Sequence, residues 1–484
     1  MLKAILTGVI LCGLTASGAE NAASAEPFKA GFNRIDITPP LGTPISGYYS
    51  RRIADGVLDP LHARCLALSD GESQALVYAV DNLQIPDAVT GEIKAEITRK
   101  TGIPAEAIFI ACSHTHTGPS AAPSGSVNTL PEDVDTIRFS NRILASRCAD
   151  AGVRALEDLA PAKILLGRGE AKGISFIRRF RMKDGTTRTN PGVNNPEVEC
   201  ALGEPDEQVQ LVRFVREGKK EIALLNFQCH PDVISGTKFS ADWPGLACTY
   251  LEDAMGKGIE ALLINGAQGD TNHIHPKIAP GEIVPKRYEM SKHMARTIVG
   301  AALAAWGTCA PAPSGKVRAA MPAVKVFTNK GKPEDIPLAE KYVNLHKSGR
   351  AREIPGVGME RTANTAGAYR ILELKDAPAE TDLRVSVVTV GTTLAFGGFP
   401  GEPFTWMGTE LKAKSPFAMT IPACTVNGSR GYFPVKSAYG PGGYENATSR
   451  FKAGTAERLV EGALLKMSEF HKAAAPDAAR SVQK

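Results

Sequence analysis

The stretch CSHTHTGP, Cys112 to Pro119, places His114 and His116 two residues apart, directly after the apolar run Ile108 to Ala111. Side chains of an extended backbone alternate with period two, so both imidazoles face one side and can address one site. Two imidazoles begin a Zn²⁺ ligand set, which takes three or four N, O or S donors. The same pair serves equally well as polar residues bonded to a Thr-rich turn. His230 closes the apolar run ALLNFQCH before Pro231, and Glu402 closes LAFGGFPGE in a glycine-rich turn. Taken singly, His230 reads as a satisfied structural histidine and Glu402 as a carboxylate at a helix N-terminus, where the dipole favours it. Taken together with His114, they supply the two-His, one-carboxylate set of many catalytic zinc sites. A second HxH, His273 and His275 in GDTNHIHP, also follows an apolar strand and competes for the metal. Asp270 and Asn272 beside it read as Asx-turn residues or as groups that hydrogen-bond metal ligands.

Simpler catalytic motifs are absent from the sequence: it has no HExxH helix, no GxSxG elbow and no GxxxxGK phosphate loop. Gly118 stands where an HxHxD metal motif needs its aspartate.

The elements that must carry these residues alternate strand-like runs with helical patterns. AIFIACSH, VQLVRFV, EIALLNFQCH, ALLINGAQGD, LRVSVVTVG and LAFGGFPGE read as strands. Helical patterns cover 88–100, 136–160, 245–255, 285–305 and 454–470. The hairpin RFVREGKKEIALL makes the sheet partly antiparallel. The expected fold is α/β, a mixed sheet layered with helices, with the metal site at the C-terminal ends of strands. Residues 309–323, rich in Pro and Ala, have the composition of a linker and precede a charged helical segment, 335–352, but the region reads as an insertion in, or a lid on, one catalytic domain and not as a domain boundary. The expected domain is 26–472, followed by a flexible tail at 473–484.

With 484 residues, 43% hydrophobic and 22% charged, the chain is of ordinary globular composition and can bury a large core. A net charge of +5 is too small and too dispersed for a nucleic-acid-binding face. Residues 1–25 carry one lysine, a short apolar stretch and an Ala23-Ser24-Ala25 cleavage site, so they read as a signal peptide. The mature chain is then exported to the periplasm or beyond. No later stretch is apolar for long enough to span a bilayer. Beyond Cys12, eight cysteines lie scattered without CxxC spacing, which excludes a zinc ribbon and allows one or two disulfides at most.

The chain resembles the neutral, non-lysosomal ceramidases, zinc amidases that cleave the N-acyl bond of ceramide. The resemblance is carried in family order by NRIDITPPLG, SHTHTGP, FQCHP, NGAQGDTN, FPGEPFTWMG and NGSRGYFPVKSAYGPGGYE, over roughly Gly31 to Leu459. It covers the family's catalytic part, in a diverged form and without the β-sandwich-like domain that usually follows. The resemblance implies Zn²⁺ as cofactor, with His114, His230, Glu402 and Tyr432 as ligands. It implies His116 as the proton-transferring residue, Tyr444 as a donor to the oxyanion and Arg178, in preference to its neighbour Arg179, as a substrate contact. Zinc in such a site acidifies water and polarises the amide carbonyl. The implied partner is a small molecule or lipid bearing an N-acyl group. Two other functions fit the same residues: a zinc hydrolase of an ester or sugar-linked acyl group, and a secreted binding protein without catalysis.

Overall fold

Nine strands form the larger of two main sheets in the computed structural model, which describes residues 27–123, 129–440 and 442–482. The expected signal peptide lies outside the described residues. The strands are β1 (Lys29–Asp36), β2 (His62–Ser69), β3 (Gln74–Val80), β4 (Ile108–Cys112), β5 (Ala160–Glu170), β6 (Gln208–Arg216), β7 (Glu221–Phe227), β8 (Ile259–Asn265) and β9 (Ala310–Ala312). They run in the order β8-β7-β6-β5-β1-β2-β3-β4, with β9 beside β5. Both outer pairs, β7–β8 and β3–β4, are parallel, while the interior pairs are antiparallel. The sheet is therefore mixed, as the sequence implies.

Helices α1 (Asp87–Thr101) and α2 (Val134–Glu157) share a core with the β1–β4 half, and α3 (Asp242–Ala254) and α4 (Tyr288–Trp306) with the β6–β8 half. β4 is buried at every position and β7 at all but its first. That is why these strands read as unbroken apolar runs and not as alternating ones.

The second sheet holds β10 (Val317–Ala320), β11 (Ser386–Val390), β12 (Leu394–Gly398) and β14 (Met419–Ala423), with a two-residue ladder of β13 (Glu402–Pro403) and β15 (Tyr432–Phe433) beyond it. Residues 309–323 are not a linker: β9 joins the first sheet and β10 the second, so the stretch stitches the two together. The 335–352 segment opens a helical hairpin, α5 (Ile336–Lys347) and α6 (Met359–Leu374), with a small core of its own around Val343 and Ala368. Helices α7 (Thr405–Lys414) and α9 (Thr455–Val482) pack on the second sheet, and α9 continues into the expected tail as far as Val482.

None of the eight described cysteines is bridged. Six are buried as small apolar core residues, which removes the expectation of disulfides. Among the described residues no helix is long and apolar enough to cross a membrane.

The loop after β14 ties the two edges of the large sheet together. The Cys424 amide donates to the Asn265 carbonyl at the end of β8 (3.0 Å), and the Cys112 amide at the end of β4 donates to the Thr425 carbonyl (3.4 Å). The strand ends that lead to His114, His230 and Glu402 are thereby drawn to one place.

Candidate metal centre and its cavity

His114 leaves β4 along a track set by its neighbour strand: the Ser113 amide donates to the Val80 carbonyl (2.8 Å) and the His114 amide to the Asn82 carbonyl (2.9 Å). His114 itself adopts φ 69°, left-handed backbone that a non-glycine residue takes at a cost of about 1–3 kcal/mol and that clusters at functional sites. Beyond this kink Thr115 and Thr117 both donate to the Ser240 carbonyl, at 2.7 and 3.0 Å, and the two imidazoles lie with ring centres 5.3 Å apart. Both rings do address one site, but the kink brings them there, not simple strand alternation.

Acceptor-only partners fix the tautomers. His114 Nδ1 lies 2.8 Å from the Leu83 carbonyl and His230 Nδ1 3.4 Å from the Gln268 carbonyl, so each Nδ1 carries the proton and each Nε2 is left with its lone pair. The two Nε2 atoms are 3.2 Å apart. Glu402 Oε2 lies 3.2 Å from the first and 3.8 Å from the second, and it is buried with no hydrogen-bond partner. Ligands about 2.0–2.2 Å from a tetrahedral ion stand roughly 3.3–3.6 Å from one another, close to the spacing of these three atoms. One extra proton on His114 could satisfy only one of its two neighbours. A cation satisfies all three, so the residues fit a metal ion.

Glu402 and Tyr432 are register partners in the β13–β15 ladder, and the Glu402 amide donates to the Gly431 carbonyl (2.9 Å). Behind Glu402 the loop after β8 packs backbone to backbone: a Cβ on Gly269 would stand 2.6 Å from the Glu402 carbonyl oxygen. Asp270 is not an Asx-turn residue. Its Oδ1 accepts from both the amide and the hydroxyl of Thr405, each at 2.7 Å, and so anchors the start of α7 just after Glu402. Asn272 does close an Asx turn, accepting from the Ile274 amide (3.1 Å).

Arg178 lies behind the cavity wall. It bonds Glu445 (2.8 Å), the Gly269 carbonyl (2.9 Å) and the Tyr432 hydroxyl (3.0 Å), and it does not line the cavity. Arg179 shares Glu445 with it (3.4 Å) and also bonds the Ala438 carbonyl (3.1 Å). Burial first, then the charge of Glu402, pushes the Tyr432 hydroxyl well above its usual pKa, with Arg178 opposing. Tyr444 opens α8 (Tyr444–Thr448), its amide donating to Thr189 (3.0 Å) and its ring 5.7 Å from that of Tyr432.

Neither ring nitrogen of His116 has a partner. Burial, then the nearby His114, pushes its pKa down to about 3, which keeps the ring neutral. Gly47, at φ 115°, makes room for it: a Cβ there would stand 2.8 Å from His116 Nδ1. The second HxH lies apart, with His273 bonded to Asp232 (3.2 Å) and His275 edge-on to Phe176 (4.5 Å). His114, His116 and His230 form the described His/Cys/Asp/Glu cluster that could hold a metal, and neither His273 nor His275 belongs to it.

The centre floors a cavity of about 450 Å³ whose wall includes Tyr48, Tyr49, Tyr369 and Arg370. Sequence reasoning passed over all four. The tandem tyrosines after Gly47 carried a faint signal, and the pair on α6 carried none.

A family model for neutral/alkaline non-lysosomal ceramidase, N-terminal, matches residues 28–304, more than half of the chain. Among solved structures, the neutral ceramidase from Pseudomonas aeruginosa is similar at 16% identity and TM-score 0.69, over 92% of this chain and 75% of that one. A ceramidase complexed with C2 is similar at 16% identity and TM-score 0.66, over 92% and 76%. At this identity the likeness is one of fold. No curated protein matches the sequence.

Proposed function

The chain belongs to the neutral/alkaline non-lysosomal ceramidase family, and on that premise we propose that it is an exported, zinc-dependent amidohydrolase that cleaves the N-acyl bond of ceramide or a related N-acylated molecule. The observation that carries the reading is the convergence of His114 Nε2, His230 Nε2 and Glu402 Oε2, three buried acceptors with no donor among them. Tyr432, in register with Glu402, is the proposed fourth ligand. Zinc, when bound, supplies Lewis acidity towards the carbonyl and makes water a better nucleophile at neutral pH.

The chain's own residues do the rest. His116, neutral and unpartnered beside the ligands, takes a proton from the attacking water and delivers it to the leaving nitrogen. The C–N bond breaks as water oxygen bonds to the carbonyl carbon, giving a carboxylic acid and a free amine. Tyr444 donates its hydroxyl to the oxygen that gains charge. Arg178 is a positioning residue that holds the Tyr432 hydroxyl through a buried bond and is itself held by Glu445.

The test is release of free amine from N-acylsphingosine and a panel of simpler N-acyl amines, with zinc content measured on the same preparation. Stoichiometric zinc with no amine released from any of them overturns the amidase reading. N-terminal sequencing of exported protein checks the leader, with cleavage expected before Glu26.

A further inference from the structure

The cavity lining is poor in large hydrocarbon side chains, its bulkiest residues being tyrosines and arginines. Among the described residues its lining contains no Phe, Met or Trp, and Ile45 and Leu83 are its only large aliphatic side chains. At about 450 Å³ it sits at the small end of ordinary ligand pockets, roughly 300–1,000 Å³. Its charges are unbalanced. Arg450 and Glu373 neutralise each other at 2.7 Å. Arg370 and Arg52 both line the cavity, and neither has a carboxylate within ion-pair distance among the described residues. Arg52 turns its two terminal nitrogens to the carbonyls of Gly236, Ser46 and His116, and its Nε is buried away from the cavity's solvent. Among the described residues Arg370 is anchored at two points, by the Ala447 carbonyl (2.8 Å) and the Asn329 carbonyl, so three of its five N–H donors have no acceptor there. Ala447 lies on α8, three residues after Tyr444, and Arg370 and Tyr444 line the same cavity.

A half-buried, firmly anchored guanidinium with spare donors is suited to a planar oxyanion group, which it can grip through two parallel bonds. We propose that the amide cleaved here carries such a group, a carboxylate or a phosphate held by Arg370, and that the substrate is a compact single-chain N-acyl compound, not a double-chain lipid. This rests on the amidase reading above and narrows its substrate class.

The experiment uses the mature, zinc-loaded chain and four probes: N-octanoylglycine, N-octanoylethanolamine, its O-phosphate ester and N-palmitoylsphingosine in mixed micelles. Turnover is measured for all four, and binding by calorimetry for the three soluble ones. At least one anionic probe is expected to exceed neutral N-octanoylethanolamine by about tenfold or more in kcat/KM and in affinity, the worth of one charge-assisted bonded pair. Which anion leads identifies the source. Arg370→Met should bring that ratio towards one, mainly through KM, with Arg370→Lys between. Equal binding and turnover of charged and neutral probes by the unaltered protein would overturn the proposal whether or not the variants fold. So would a charge preference that survives in Arg370→Met. Ceramide cleaved while the anionic probes neither bind nor react sinks the proposal and leaves the amidase reading intact. Arg370-dependent binding of an anionic probe without hydrolysis of any probe overturns the amidase reading, and with it the proposed substrate, and leaves only the anion site at Arg370.

Discussion

Two regions of this molecule share the pattern His-x-His after an apolar strand, and their surroundings have opposite chemistry. Around His114 and His116 the polar atoms are left over: both nitrogens of His116 and Oε2 of Glu402 are buried without partners, and two Nε2 lone pairs face each other at 3.2 Å. Around His273 and His275 they are used up. His273 is paired with Asp232, and Nδ1 of His275 accepts from the Lys277 amide at 3.1 Å. Buried polar groups are expensive to leave unpaired, so a cluster of them marks a place completed by something other than protein. Spacing proposes a metal site, and the accounting of partners decides between two such proposals.

The strongest way to break this contrast is to delete ligands from each region. His114→Ala or Glu402→Ala should drop zinc from stoichiometric to nearly none and amide hydrolysis to background, measured by metal analysis and amine release. Zinc retained in both would move the site elsewhere. His116→Ala should separate the paired imidazoles: zinc stays, and kcat falls about 10²- to 10⁴-fold, the usual worth of a general acid–base. Loss of zinc along with activity would instead make His116 a ligand, a role that its place in the three-histidine cluster would allow. Tyr444→Phe removes one hydroxyl and should cost about 3 kcal/mol, roughly a hundredfold in kcat, with zinc unchanged. An undiminished kcat would remove Tyr444 from the oxyanion.

Much of the scaffold was legible because buried strands and amphipathic helices follow local rules. The apolar runs ending at Cys112, Phe227 and Gly398 became strands, and the polar residues just beyond them lie together at the candidate site. Other parts were illegible for identifiable reasons. Pro311 made 309–323 look like a linker, yet β9 pairs on one side only, and an edge strand tolerates a proline that lacks its N–H. Helix α6, MERTANTAGAYRILEL, buries mostly small residues, Ala363, Ala366, Gly367 and Ala368, so no large apolar stripe announces it. Tyr369 and Arg370 reach the cavity by tertiary placement alone. The roles of Tyr432 and Tyr444 came from resemblance, since two loop tyrosines twelve residues apart carry no pattern of their own. Asp232, which decides the fate of His273, lies 41 residues from it in sequence.

A gentler probe of the contrast is the His273–Asp232 pair, which should matter for stability and not for metal. Burial alone would lower the His273 pKa, but the hydrogen bond and charge of Asp232 outweigh it and raise it. For Asp232, burial acts upward and His273 outweighs it downward. A raised histidine contributes stability in full below its unfolded value of about 6.5 and loses it as pH rises through the folded value. A lowered aspartate contributes above about 3.9 and loses it as pH falls through its folded value. The pair is therefore worth most near pH 5. His273→Gln should cost about 2 kcal/mol there in urea unfolding and less at pH 9. A cost that grows with pH would mean that the pair is not ionised as described.

The smallest effect belongs to His275, and it tests the contrast most cleanly because the residue belongs to the same motif as His273 without its charge partner. Its contacts are an edge-on ring contact with Phe176 and one turn amide, at a half-buried position. His275→Ala should shift stability by no more than about 0.5 kcal/mol and leave zinc content and turnover unchanged. If zinc fell in this variant, the partners that satisfy the second HxH would be only its resting state, and counting unpaired atoms would no longer tell the two regions apart.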